Sequence, residues 1–212
     1  SVQVDISAHA LTKYPSGGGD VLMGSIITRD NAVHMRLKLA HMRLGLGVGM
    51  NDVELVLRSL PSTALRYHAQ DKTARQLAAA LQRQNAVKQL LHPAFASSPG
   101  HAHWQQLCAT PENPAGAAAG IFSVVFDAPQ SQVDDFCNRL QLFKLGYSWG
   151  GHISLVMPYA LDEMRDLGRG AVLPGCLVRL CIGLEEAADL ERDVAQAYGH
   201  AFGHAWRGQG VH

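Results

Sequence analysis

Lys13 sits where a short alternating strand gives way to the small-residue loop Pro15-Ser16-Gly17-Gly18-Gly19-Asp20. An amine desolvated there can lose its proton, because burial disfavours the charged form and lowers a lysine pKa by up to several units from about 10.4. The neutral amine is the species that Schiff-base chemistry needs. Taken alone, a Thr12-Lys13-Tyr14 triplet fits a surface turn. Arg179 interrupts the apolar run from Leu177 to Ile182, where an unpaired charge is costly. Its planar fork suits a carboxylate held through paired hydrogen bonds, and a structural ion pair with an acidic neighbour suits it equally. Gly146-Tyr147-Ser148-Trp149-Gly150-Gly151 places a hydroxyl and an indole among glycines, a pattern that also fits a strand end with a buried Trp.

Other polar patterns carry less. Gly45-x-Gly47-x-Gly49 lacks the spacing of a nucleotide loop and follows a helix, so it reads as a connection. His200 and His204 have helical spacing and His101 and His103 flank one residue, but no Cys or carboxylate pattern accompanies them as in a metal site. Arg58 and Arg66 read as solvated or ion-paired. The four cysteines, Cys108, Cys137, Cys176 and Cys181, have neither C-x-x-C spacing nor the density of a disulfide scaffold, and read as core residues in a reducing compartment.

The elements that must position these residues follow from periodicity. Val2 to Ile6 alternates like a strand, and Val21 to Ile27 is nearly continuous, like a buried one. Asp30 is placed to cap a helix through Met35–Ala40 that ends near Gly45–Gly49, and Asn51 with Glu54 suggests a capping box opening the next. Pro61 breaks that helix, and helical spacing resumes over residues 63–84. The boundary between two domains is placed there. Strands are expected at 118–127, 143–148, 155–159 and 177–182, alternating with helices at 132–140 and 185–196, which gives a small sheet with helices packed on it. Residues 113–117 and 168–170 read as exposed loops, and the Gly- and His-rich tail from Gly199 as fraying. There is no internal repeat.

Composition narrows the class. With 47% hydrophobic residues over 212 positions, the chain can build a real core. Lys plus Arg and Asp plus Glu each total 18, so no net charge draws it onto nucleic acid or an anionic membrane. No apolar stretch approaches the roughly 20 residues that span a bilayer. The expected compartment is the cytoplasm. The chain opens at Ser1 inside strand-like alternation, as a piece of something longer would.

The run from Asp5 through His9-Ala10-Leu11-Thr12-Lys13-Tyr14 to Asp20 resembles the lysine signature of the Cys/Met-metabolism family of pyridoxal-phosphate (PLP) enzymes. Ser148-Trp149-Gly150-Gly151 is similar to the cystathionine β-lyase branch, since γ-synthases and γ-lyases usually carry Leu at the Trp149 position. Leu177 to Glu185, with Arg179, is the third matching segment. The chain departs from the family at Ala10, usually a serine that shares the cofactor phosphate with Thr12, at Gly18-Gly19, and at Ile153, usually a glutamate.

That resemblance, which runs from Val4 to about Ala195, implies the α/β architecture of PLP-dependent fold type I. Residues 1–60 would end the large cofactor domain, and residues 61–212 would form the small C-terminal domain. It implies PLP held by Lys13 with Thr12, and a sulfur amino acid held by Arg179, Ser148, Trp149 and Tyr147. Lys13 would then act as base in β-elimination of cystathionine to homocysteine, pyruvate and ammonia, a step of methionine biosynthesis. γ-Lyase, γ-synthase or other cysteine-S-conjugate lyase chemistry is the alternative within the family, and an inactive fragment or assembly domain the alternative outside it. The family's other cofactor contacts lie upstream of the lysine signature, so the missing N-terminal half is an expected partner, in a homotetramer.

Overall fold

The computed structural model describes residues 4–161 and 175–208, so the loop expected at 168–170 lies outside the described residues. Two sheets organise it. The first pairs β1 (Ile6–Ala10) with β2 (Gly24–Thr28), antiparallel, with Ala10 opposite Gly24. The strand expected at Val2–Ile6 thus starts where that stretch ends. Nor is the second strand buried: Ile26 and Ile27 are 60% and 64% exposed, because among the described residues β1 alone pairs with β2 and only helix 31–43 packs beside it.

Helix α1 (Asn31–Arg43) begins as expected, with Asp30 Oδ1 accepting the Val33 N–H at 2.8 Å. It ends in a Schellman turn: Gly45 takes φ +64°, Leu46 N–H bonds His41 O and Gly45 N–H bonds Met42 O. Helix α2 (Met50–Ser59) is capped by Gly49 rather than Asn51. Glu54 makes no capping box, because its carboxylate pairs with Arg58 one turn on. Pro61 tightens the chain into a 3-10 turn, Leu60–Ser62, from which α3 (Thr63–Gln82) leaves directly.

The second sheet follows. β3 (Val87–Leu91), β4 (Ile121–Phe126), β5 (Lys144–Leu145), β6 (Leu155–Tyr159) and β7 (Cys176–Cys181) stand in the order β3-β4-β7-β6-β5, antiparallel except for β5 with β6. The strand expected at 143–148 shrinks to two residues. Helix α4 (His101–Cys108) and strand β3 have no counterpart in the sequence pattern. Helices α3, α5 (Gln130–Arg139) and α6 (Ala187–Phe202) pack on the sheet.

Val124, Phe126, Val178 and Leu180 are fully buried among Leu81, Phe136, Leu190 and Val194. Phe126 stacks on Phe202, ring centroids 5.1 Å apart, and the Tyr198 hydroxyl accepts the Ala86 N–H at 2.9 Å. The tail does not fray from Gly199. Helix α6 continues to Phe202, Trp206 meets the Tyr198 ring, and Gln84 bonds both the N–H and the C=O of Arg207. Burying those aromatics offsets the helical cost of Gly199.

Candidate active site

The loop carrying Lys13 is wound tightly by its own backbone. Leu11 and Thr12 N–H groups meet Met23 O, Ser16 N–H meets Leu11 O and Gly17 N–H meets Lys13 O. Thr12 adds a side-chain clasp: its hydroxyl accepts the Met23 N–H at 3.2 Å and donates to Met23 O. The hydroxyl nearest Lys13 in sequence is therefore spent on holding β1 to the approach of β2. Across the loop, Arg66 from α3 donates to Tyr14 O at 2.7 Å and Pro15 O at 3.2 Å, and to Ser59 O in its own helical corner. Gly17, at φ +68°, leaves room for that guanidinium; a Cβ there would lie 2.2 Å from Arg66 Nη1. Arg66 is thus half-buried, makes no ion pair among the described residues, and its donors are taken by carbonyls.

Lys13 Nζ donates to Ser148 Oγ at 3.0 Å and stands 4.4 Å from the centre of the Trp149 ring. The contact rests on the glycines that follow. Gly150 has φ +77°, and a Cβ there would come within 2.8 Å of Tyr14 N and 3.2 Å of Lys13 C, so the two loops meet backbone to backbone. Gly150 N–H points to Cys181 Sγ at 3.4 Å, and Gly151 O accepts from Gln70 Nε2 at 2.6 Å. Burial holds the Cys181 thiol above its ordinary pKa, so it stays a neutral thiol.

Arg179 comes from the centre of the sheet, opposite Met157 on β6 and Ser123 on β4. Its neighbours on β7, Val178 and Leu180, point into the core, which sends the guanidinium out on the other face. It lies 5.7 Å from the Trp149 ring and 5.7 Å from the Tyr159 ring, and donates to Gly146 O at 3.2 Å. It makes no ion pair among the described residues. Tyr147 is 63% exposed and meets Tyr159 edge to face. Lys13, Ser148, Trp149, Arg179 and Tyr147 therefore converge, whereas Thr12 faces Met23.

Sequence reasoning missed Tyr159, whose signal was its period-two spacing from Met157 on the same strand face. It also gave no role to Tyr14, whose hydroxyl accepts the Gly120 N–H at 3.0 Å and whose burial raises its pKa, keeping the phenol un-ionised. The departure at Ile153 leaves an exposed side chain. The carboxylate in that corner is Glu185, which accepts from the N–H and the hydroxyl of Ser154 at 2.7 and 2.8 Å.

Chemically, the arrangement offers a primary amine bonded to a hydroxyl and to no carboxylate among the described residues, beside a cation whose one side-chain hydrogen bond among the described residues goes to Gly146 O. The amine fits a carbonyl cofactor that must be held covalently. The cation fits the carboxylate of a small acid. Among the described residues, no group of three or more His, Cys, Asp or Glu could hold a metal ion and no helix is long and apolar enough to cross a membrane.

Residues 1–199 match the family model described as Cys/Met metabolism PLP-dependent enzyme. A cystathionine β-lyase of Bordetella avium is 36% identical over 199 residues, covering 92% of this chain and 48% of its own. A putative cystathionine β-lyase of Rhizobium johnstonii is 37% identical over 204 residues, covering 93% and 49%. The crystal structure of cystathionine γ-synthase from Xanthomonas oryzae pv. oryzae in complex with cystathionine superposes with a TM-score of 0.79 at 29% identity, covering 94% of this chain and 51% of that one. The chain spans about half the length of the relatives it matches.

Proposed function

The chain belongs to the Cys/Met metabolism PLP-dependent enzyme family, with its fold type I architecture, and from that premise we propose that it contributes the lysine half of a carbon–sulfur lyase acting on cystathionine by β-elimination. The observation that carries this reading is the Trp149 indole lying beside both Lys13 and Arg179. An indole there narrows the space next to the reacting amine, and the two β-lyases at 36% and 37% identity support the same branch.

In this reading residues 1–60 close the large cofactor domain and residues 61–212 form the small one. The upstream half of the family's length completes the site, in a homotetramer located in the cytoplasm. Lys13 would hold pyridoxal phosphate through Nζ, and Thr12 would reach its phosphate only by releasing Met23. When bound, the cofactor supplies an electron sink for charge that develops next to the substrate amine. The protein's part is position and proton transfer. Arg179 takes the substrate carboxylate through the donors that Gly146 leaves open, and Ser148 reaches the same group. Once the substrate amine has displaced it from the cofactor, the freed Lys13 amine would take the proton from the carbon bearing that carboxylate, with Ser148 holding the amine toward that carbon. The sulfur substituent would leave as a thiolate, and the 63% exposed Tyr147 would line the substrate site at its rim.

The test is to supply the complete enzyme with cystathionine and measure both keto acids. Pyruvate is expected in excess; a dominant 2-oxobutyrate signal would assign the γ-branch and overturn the β-lyase reading.

A further inference from the structure

Three groups set the attitude of the Arg179 guanidinium: Trp149 on one side, the Gly146 carbonyl, and Tyr159. Two of them flank or form the lysine-contacting loop. The third comes from the end of β6, where Tyr159 pairs with Leu177, two residues before Arg179. Strand alternation places Tyr159 on the same face as Met157 and Arg179, so the ring and the guanidinium meet on a diagonal of the sheet. With no acidic partner among the described residues, the cation is held by π faces and one carbonyl. Such a hold restrains it without neutralising it, because a ring offers no formal charge and leaves the N–H donors open. A carboxylate in the place of Tyr159 would tie up the same donors. The Tyr159 ring is in turn propped by Tyr147, centroids 6.4 Å apart.

We propose that Tyr159 is a positioning residue for substrate carboxylate binding, acting by holding the Arg179 guanidinium in place through its ring face and not through its hydroxyl. This rests on Arg179 being the carboxylate-binding residue, as set out above.

The experiment compares Tyr159→Leu and Tyr159→Phe in the complete enzyme, measuring kcat and KM for cystathionine and the inhibition constant of propionate, a carboxylate without an amine. Losing a cation–π contact worth about 0.5–1 kcal/mol should raise KM and the propionate constant together by about two- to fivefold, with kcat little changed. Tyr159→Phe should keep both constants at the parent values. Unchanged constants in Tyr159→Leu, or a Phe variant that behaves like the Leu variant, would overturn the proposal. Should Tyr159→Leu fail to fold, Tyr159→Met provides the same comparison with a flexible apolar side chain. Arg179→Leu separates the two ideas. If it raises both constants while the Tyr159 variants do not, only the role of Tyr159 is wrong; if it leaves both unchanged, the carboxylate reading itself has failed.

Discussion

The Lys13 amine donates to the Ser148 hydroxyl at 3.0 Å, across 135 residues of chain, and joins the loop after β1 to the loop before β6. Ser148 thereby fixes where the amine points. Ser148→Ala should free the amine and lower kcat of the complete enzyme by about tenfold, on the scale of one lost orienting contact. Lys13→Ala should remove covalent attachment altogether. Borohydride reduction followed by mass spectrometry checks this: a cofactor adduct on the peptide containing Lys13 in the parent, and none in the variant.

Arg66 is the half-buried strut of that loop. Arg66→Met removes donors from Tyr14 O and Pro15 O and leaves the loop carbonyls without partners, so unfolding free energy should fall by about 2–4 kcal/mol. Urea denaturation checks it, and Arg66→Lys should recover only part, since an ammonium cannot reproduce the fork.

Gly150 tests the backbone contact between the two loops. Gly150→Ala forces an L side chain into φ +77° with its Cβ 2.8 Å from Tyr14 N, a strain of about 1–3 kcal/mol. The expected result is a lower denaturation midpoint together with lost activity, because relief of the clash moves the Lys13–Tyr14 peptide. Gly45→Ala, also at positive φ but in open space, should cost stability and leave activity intact.

His92 sets an acid limit. Burial lowers its pKa to about 4, and in the neutral ring Nδ1 accepts the Ala94 N–H while Nε2 has no hydrogen-bond partner among the described residues. The folded state therefore resists a proton that the unfolded chain accepts near the ordinary value of about 6.5. Stability from this group is full above about pH 6.5 and is lost as pH falls toward about 4, by roughly 3 kcal/mol in all. Denaturation midpoints between these limits should slope accordingly. His92→Phe should be less stable at neutral pH, since the Ala94 N–H loses its acceptor, yet show a flatter slope.

The candidate residues could be picked out in the chain because they lie in short contiguous runs. Lys13 and Arg179 were singled out through the resemblance of the runs that carry them, and the 155–159 strand and the Asp30 cap from local pattern alone. What local pattern could not contain was partnership between distant segments. Arg179, ambiguous in sequence between a ligand site and an ion pair, makes no ion pair among the described residues and lies instead beside the rings of Trp149 and Tyr159. The grip of Arg66 was not legible because its partners Tyr14 O and Pro15 O are backbone carbonyls more than fifty residues away, which no side-chain pattern records. The tail beyond Gly199 was misread for the converse reason: glycine and histidine weaken a helix locally, while burial of Tyr198 and Phe202 stabilises it globally. Sequence alone determined which residue types could react. Tertiary packing decided which of them meet, because short-range hydrogen bonds and ring contacts depend on distances that only the folded chain sets.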